Sequence, residues 1–271
     1  ERLSGSARGT HFTNMPILAN KTPDELEPII LNALDKGQIL SVQTYYLSDY
    51  GEKVLNLVTS AILKKYGRED LIDVVYTSAK ELVINATKSN LKRVLFARIG
   101  LDLFNPENYE QGMKHFKEEL KEENIRKYKS LFREFKFTVT ITFYYSPDVL
   151  NIKIKNNTQL IPQEEERIRQ KFAQAVSYAN LFDFYLEHGD DTEGAGMGLT
   201  LVGILLNQSG IDKHQFTLYS SPHYNETTAR LEIPLSQEYT SRRERFEKER
   251  ESSGLSREEF RKHFDSKKEF H

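Results

Sequence analysis

The sequence contains no cysteine, which excludes disulfide bonds and thiol chemistry and is compatible with a reducing cytoplasm. It also lacks an excess of charge of either sign, since 38 Lys and Arg residues stand against 40 Asp and Glu residues. The resulting net charge of −2 lacks the positive excess that is typical of proteins that bind a nucleic acid or an anionic membrane surface. No apolar run is long enough to span a bilayer. We therefore expect a cytoplasmic protein that binds neither nucleic acid nor membrane.

The first third of the chain predicts helices after a flexible leader at residues 1–20. In "TPDELEPIILNALDKG", Thr22 is placed as an N-cap and Glu25 three residues later completes a capping box. A second apolar helical face follows in "YGEKVLNLVTSAILKKYG", and another helix is expected from about Leu71. We expect residues 21–69 to form N-terminal helices that pack on a core domain at 70–235.

Alternating apolar residues predict strands in the second half of the chain. The clearest run is "FKFTVTITFYY" at residues 135–145, and the turn "SPD" with the alternation after it favours an antiparallel hairpin. Two later runs, "HQFTLYS" and "TTARLEIPL", show the same period. Together with the helices they predict an α+β fold: a two-layer α/β sandwich whose mixed, mostly antiparallel sheet carries helices on one face.

Two segments read as additions to this sandwich. Residues 105–134 form a charged stretch with Asn105 and Pro106 as helix start signals, and the pattern favours a solvated helical arm over a specific partner surface. From 236 to 271 the chain is mostly charged and restarts at a capping box that begins with Ser256. This tail is expected to be a loosely attached helical hairpin or disordered, with contact in a homodimer as a further alternative.

One helical stripe combines a carboxylate, an amide and an ammonium. In "ELVINATKSN", Glu81, Asn85 and Lys88 are spaced i, i+4 and i+7. By itself this pattern is typical of an amphipathic helix whose polar face meets water. The asparagine sets it apart, because Asn is a poor helix former in mid-helix and here lies between a possible base and a possible phosphate-binding cation.

A glycine-rich run precedes a second apolar helix. "GDDTEGAGMGLTLVGILL" places Gly194, Gly196 and Gly198 just before the helix-like segment. Glycines let the backbone approach a ligand closely, and the first amides of a helix favour an anion. Taken alone, this run fits a plain loop as well as a phosphate cradle.

In combination, the two motifs resemble the GHKL superfamily of ATPases and kinases, which includes histidine kinase catalytic domains, anti-sigma-factor serine kinases, gyrase B subunits and large heat-shock chaperones. "ELVINATKSN" resembles the N box, "GAGMGLTLV" the second glycine box at the end of the ATP lid, and "NETTARLEIPL" the closing strand with its Thr pair. The three occur in family order between about residues 70 and 235. The resemblance implies a Bergerat-type ATP-binding fold.

The resemblance also implies a role for each matching residue. Asn85 would bind Mg²⁺ through its side-chain oxygen, and Glu81 would polarise the group that attacks the γ-phosphate. The remaining residues implied to bind the nucleotide are Lys88, Asn156, Gly194, Gly196, Met197, Gly198, Leu199, Thr227 and Thr228.

One box departs from the family pattern. Where the family carries D-x-G-x-G, whose Asp accepts the adenine amino group, "IKNNTQLIP" aligns Asn156 with the Asp, and Thr158 and Leu160 with the glycines. Asn156 keeps a carbonyl oxygen that can accept the same hydrogen bond, although a neutral acceptor is weaker than a charged one by around 1 kcal/mol. Side chains at 158 and 160 are expected to narrow the base pocket.

Two functions follow from this interpretation. The first is a signalling ATPase or kinase that binds ATP or ADP with Mg²⁺ and acts on a partner protein supplied in trans, since the helices before the N box contain no His as phosphoacceptor. The second is a degenerate nucleotide-binding fold used as a protein-interaction module, with weak or no catalysis. A third interpretation is an ATP-driven clamp of the gyrase or chaperone type. It is the least favoured, because this sequence does not include the large domain that follows in gyrases and chaperones.

Overall fold

The computed structural model describes residues 21–119, 126–178, 181 and 198–266. Helix α1 (Pro23–Asp35) begins where the sequence predicts, and its N-cap Thr22 forms the expected capping box with Glu25. Helix α2 (Asp49–Lys65) begins after its own N-cap, Ser48, which accepts a hydrogen bond from the Gly51 amide. Both helices bury one apolar face, as their periodicity predicts.

A strand that the sequence did not predict lies between these helices. Strand β1 (Leu40–Thr44) pairs antiparallel with the first strand of the predicted hairpin, with Leu40 opposite Phe143. Its five residues, "LSVQT", are too few to show a clear alternation, and only pairing with a neighbouring strand stabilises so short a segment. The region before residue 69 therefore contributes a strand to the sheet as well as helices.

Helix α3 (Ile72–Arg98) is the longest of the described helices, with 27 residues. It crosses strands of the sheet and also contacts α2. Residues Val75, Ala79, Leu82 and Val83 are buried against the sheet, while the next stripe of the helix carries Glu81, Asn85 and Lys88. The helix that positions the predicted N box is thus anchored along its apolar face.

The predicted helical arm is not a solvated arm. Helices α4 (Pro106–Glu118) and α5 (Lys129–Glu134) pack against the C-terminal half of α3, where Phe116 and Phe132 are buried in a second hydrophobic cluster. Gly112 permits this close approach, because a Cβ at that position would overlap the Phe96 ring. The sequence did not predict these contacts because both helices are rich in charged residues, and only a few apolar residues in each helix form the packing.

The sheet has five described strands in the order β1-β2-β3-β5-β4, and every pairing among them is antiparallel. This corrects the expectation of a mixed sheet. The remaining strands are β2 (Val139–Tyr145), β3 (Val149–Asn156), β4 (Phe216–Ser221) and β5 (Glu226–Pro234).

Strand β2 begins four residues later than its alternation predicts. Lys136 has a φ of 56°, in the left-handed region, so the backbone turns before the strand starts. The rings of Phe135 and Phe137 stack instead, with centroids 5.8 Å apart. Apolar alternation identified the strand, but the turn at Lys136 sets where it starts.

The central core lies between the helices and the apolar face of the sheet, as an α+β arrangement requires. Helix α6 (Pro162–Ser177) follows β3, and helix α7 (Gly198–Gln208) packs on both α3 and α6. A Cβ at Gly203 would lie 2.7 Å from the Ala175 Cβ, so this glycine allows α6 and α7 to approach closely.

The charged C-terminal segment contains two helices, α8 (Arg242–Ser253) and α9 (Arg257–Ser266). Gly254, with a φ of 67°, ends the first helix, and Ser256 and Glu259 form the predicted capping box of the second. The rings of Phe246 and Phe260 meet edge to face. Within the described residues, no helix is long and apolar enough to cross a membrane.

Candidate functional site

A cavity of about 170 Å³ lies between α3, α6, the start of α7 and the sheet. Its apolar surface comes from the helix and strand faces that point inward, including Leu82 and Ala86 of α3 and Ile154 of β3. Of the residues that the sequence predicts for a nucleotide site, those that line this cavity are Asn85, Lys88, Asn156, Leu199 and Thr227.

The N box and the start of the glycine-box helix meet at Gly198. A Cβ built on Gly198 would lie 2.5 Å from the Glu81 Oε2 and 2.9 Å from the Asn85 Nδ2. Only glycine fits here without displacing one of these side chains. Two motifs that are more than one hundred residues apart in sequence are therefore in direct contact.

The Asn85 side chain has one polar atom for which the described part of the chain supplies no partner. Its Nδ2 is buried and has no hydrogen-bond partner among the described residues. Because nearly all buried polar groups in proteins are paired, an unpaired amide on a cavity wall favours a bound polar ligand.

Glu81 lies beside Gly198 but is not part of the cavity lining. Burial raises the pKa of its carboxyl above the ordinary value, and the nearby ammonium groups of Lys88 and Lys80 oppose that shift. Lys80 is itself held by Glu52, with 2.7 Å between Nζ and Oε2. A half-buried carboxyl with a raised pKa has the character required of a general base.

The segment "NNTQL", residues 156–160, which departs from the D-x-G-x-G pattern and is called the base box below, takes part in a buried polar network at the end of β3. Asn156 donates from Nδ2 to the Thr158 Oγ1 at 3.1 Å and to the Asn90 Oδ1 at 3.4 Å. Thr227 donates its hydroxyl to the Thr158 carbonyl oxygen at 2.7 Å. Leu160 lines the cavity, in line with the expected narrowing, whereas Thr158 is buried in this network.

Thr228 lies on the opposite side of the sheet from the cavity. Successive residues of a strand point to opposite faces, and in β5 the face shared by Thr227 and Ala229 is the one that borders the cavity. Gly194, Gly196 and Met197 lie outside the described residues.

Several cavity residues were not identified by sequence analysis. Lys92 extends the stripe of Glu81, Asn85 and Lys88 by one more turn of α3, a spacing that was available in the sequence. On α6, the spacing i, i+3, i+4 and i+7 was the corresponding signal for a second wall. The residues of that wall are Glu164, Arg167, Ile168 and Lys171.

A buried ion cluster joins these two walls. Glu164 contacts Lys92, with 2.7 Å between Oε1 and Nζ, and Arg93, with 3.0 Å between Oε2 and Nη2. Burial alone would raise the pKa of Glu164, but the attraction of the two cations outweighs it and leaves the pKa below its ordinary value. Arg93 also donates to the Gln159 carbonyl, which fixes the loop after β3.

The cavity is electropositive on balance. Four cationic side chains border it, and its one carboxylate, Glu164, is paired with Lys92 and Arg93. Within the described part of the chain, Lys88 has no carboxylate within ion-pair distance, and no group of three or more His, Asp or Glu side chains could hold a metal ion by itself. The arrangement suits an anionic ligand that would bring further oxygen ligands for any cation.

Comparison with known proteins finds one informative similarity. The chain is 31% identical over 205 residues to an uncharacterized protein of Treponema pallidum (strain Nichols), an alignment that includes 76% of this chain and 39% of that relative. The chain thus spans about two-fifths of the relative's length. No family model matches the chain. No solved structure matches it either.

Proposed function

We propose that the chain is an ATP-binding signalling protein of the histidine kinase-like ATPase type, built on a Bergerat-type fold. It would transfer the γ-phosphate of Mg-ATP to a partner protein or hydrolyse it. The observation that supports this most strongly is that residues of four separate motifs border one cavity. They are Asn85 and Lys88 of the N box, Asn156 of the base box, Leu199 after the glycine run and Thr227 of the closing strand.

The fold is consistent with this proposal. A five-stranded antiparallel sheet packed against helices provides the second layer that such a fold needs, and α3 carries the N box across it. The antiparallel hairpin β2-β3 ends at Asn156, so the base box lies at the edge of the cavity.

The residues present fit a magnesium nucleotide. The Asn85 Nδ2 is a donor without a partner among the described residues, so it suits a phosphate oxygen, while the Oδ1 of the same amide is the type of oxygen ligand that Mg²⁺ prefers. The cations Lys88, Arg167 and Lys171 suit phosphate oxygens, and the apolar floor at Ile154 suits a base. Bound Mg-ATP would supply the electrophilic γ-phosphorus.

Each residue then has a definite task. Asn85 would hold Mg²⁺ through its side-chain oxygen, and Lys88 would neutralise phosphate charge. Glu81 accepts a proton at its carboxylate from the attacking hydroxyl or water, a task for which its raised pKa is suited. Positioning and charge neutralisation are the main demands of phosphoryl transfer, so this short set is sufficient.

Calorimetric titration of the chain with ATP and ADP, each with and without Mg²⁺, tests the proposal. Wild type is expected to bind saturably and to need Mg²⁺, whereas Asn85→Ala should lose the Mg²⁺-dependent binding. Asn56→Ala, an exposed helical asparagine on α2 outside the cavity, is the matched control and should bind like wild type. The absence of binding at millimolar nucleotide, or equal binding by Asn85→Ala, would refute the proposal.

A second candidate function is a protein-interaction module with little or no catalysis. The small volume of the cavity favours this function. It measures about 170 Å³ over the described residues, below the range of about 300–1,000 Å³ that is common for ligand pockets. Leu160 is one of the side chains that restrict this volume. Negative titrations with both nucleotides would favour this function. Deleting residues 105–134 is a poor test of it, because Phe116 and Phe132 are part of the core.

A further inference from the structure

We propose that Asn90 fixes the orientation of the Asn156 amide, so that the cavity selects a 6-aminopurine base over a 6-oxopurine base. This inference rests on the proposed function, because it concerns which purine nucleotide the site takes. It assigns a specificity role to a residue outside the cavity wall. The selectivity depends on which end of each amide is hydrogen-bonded within the protein.

The nitrogen end of the Asn156 amide is committed to the protein. Its Nδ2 is used inside the protein, toward the Asn90 Oδ1 and the Thr158 Oγ1. Asn156 lines the cavity, but Asn90 and Thr158 lie outside the wall that the described residues form. The two ends of a planar amide point in different directions, so the Oδ1 is the end left for a ligand.

Asn90 determines this orientation because its own amide is held in one direction. Its Nδ2 donates to the Thr138 backbone carbonyl at 3.4 Å, and a carbonyl can only accept. Asn90 must therefore turn its Oδ1 toward Asn156, which in turn must present Nδ2. The Asn90 side chain is completely buried, so water does not compete for either contact.

Thr158 cannot impose the same choice. A hydroxyl both donates and accepts, so the Thr158 Oγ1 could bond either end of the Asn156 amide. The hydrogen bond from Thr227 to the Thr158 carbonyl oxygen holds the Thr158 backbone in place but leaves its hydroxyl free to rotate. Of these neighbours, Asn90 alone is restricted to one direction.

The orientation matters because Asn156 is an amide at a position that aligns with the carboxylate of the GHKL pattern. A carboxylate accepts a hydrogen bond through either oxygen, whereas an amide accepts only through one end. With Oδ1 facing the cavity, an exocyclic amino group can donate to it. A 6-oxo base would place a second acceptor against Oδ1 and leave both unpaired, which is expected to weaken binding about ten-fold or more.

Calorimetric titration with Mg-ADP and Mg-IDP, the inosine analogue, measures this preference without turnover. Wild type should bind ADP about ten-fold or more tightly than IDP. In Asn90→Leu the Asn156 amide can rotate, and the ratio should fall toward one. The double variant Asn90→Leu/Asn156→Asp should restore the ratio, since a carboxylate needs no orienting neighbour. If Asn90→Leu does not fold, Asn90→Thr supplies a two-way hydroxyl and should lower the ratio as well.

Thr87→Val is the matched control, a buried polar residue one turn earlier on α3 whose hydroxyl, among the described residues, bonds only the Val83 carbonyl. Its ratio should equal that of wild type. Equal binding of ADP and IDP by wild type would overturn the selectivity, and an unchanged ratio in a folded Asn90 variant would overturn the role of Asn90. Failure of wild type to bind either nucleotide is a separate result, because it refutes the proposed function itself.

Discussion

Replacing Glu164 with glutamine tests the buried ion cluster that joins α3 to α6. The Glu164 carboxylate is 6% exposed and contacts Lys92, Arg93 and the Ile161 amide. Glutamine has the same shape but no charge, and its amide nitrogen would face one of the two cations. Lys92 and Arg93, with side chains 10% and 8% exposed, would then be buried without a counterion.

The expected cost is large because one partner of a buried pair is removed while the others stay. Such changes typically cost about 3–5 kcal/mol. With a shift of roughly 2–4 °C for each kcal/mol in a protein of this size class, the melting temperature should fall by roughly 6–20 °C. The assay is thermal and urea unfolding followed by circular dichroism.

Glu165→Gln is the matched control on the same helix. Glu165 pairs with Arg169 at the surface, where side chains are 56% and 71% exposed, so its loss should have a much smaller effect. If Glu164→Gln is no less stable than Glu165→Gln, the cluster does not stabilise the fold and the reasoning is wrong.

The same variant makes a prediction about pH. The pKa of Glu164 lies below its ordinary value of 4.5, so the carboxylate stabilises the fold fully above that pH and less as the pH falls through the lowered pKa. The difference in free energy of unfolding between wild type and Glu164→Gln should therefore be largest above pH 4.5 and shrink in more acidic solution. A difference that grows on acidification would contradict this assignment.

Two further substitutions test the site and the inserted helices. Gly198→Ala should weaken Mg-ADP binding about ten-fold or more with little loss of stability, because the new Cβ would displace Glu81 or Asn85. Gly51→Ala on α2 is the control. An unchanged affinity of Gly198→Ala in calorimetric titration would count against the contact of Gly198 with these two side chains. Phe132→Ala should lower the free energy of unfolding in urea by about 3–5 kcal/mol, because the ring is fully buried. A decrease near zero would mean that the inserted helices form a solvated arm.

Sequence patterns predicted most of the fold because its long elements carry clear periods. The capping box at Thr22, the hairpin at residues 139–156 and the closing strand all follow from local chemistry. Strand β1 and the turn at Lys136 did not, because a short strand depends on its partner and a left-handed residue depends on its surroundings. Local sequence signals therefore predicted the presence of helices and strands better than the residues at which they begin and end.

The sequence likewise predicted only part of the candidate site. Asn85, Lys88, Asn156 and Thr227 were predicted from motifs and lie on one cavity wall or another. The role of Asn90 depends on hydrogen bonds to strands far away in sequence, which no spacing along α3 reveals. Sequence motifs predicted several side chains that line the cavity, but the contacts that orient those side chains come from the tertiary fold.

These contacts link the inserted helices to the cavity. Phe116 of α4 borders the cavity, and the Lys92 ammonium lies 5.5 Å from the centre of its ring and also contacts Glu164. Glu164 in turn holds Arg93, which donates to the Gln159 carbonyl in the loop that follows Asn156. A displacement of α4 would therefore reach both the stripe of α3 that carries Asn85 and Lys88 and the loop after Asn156, because one buried cluster connects them.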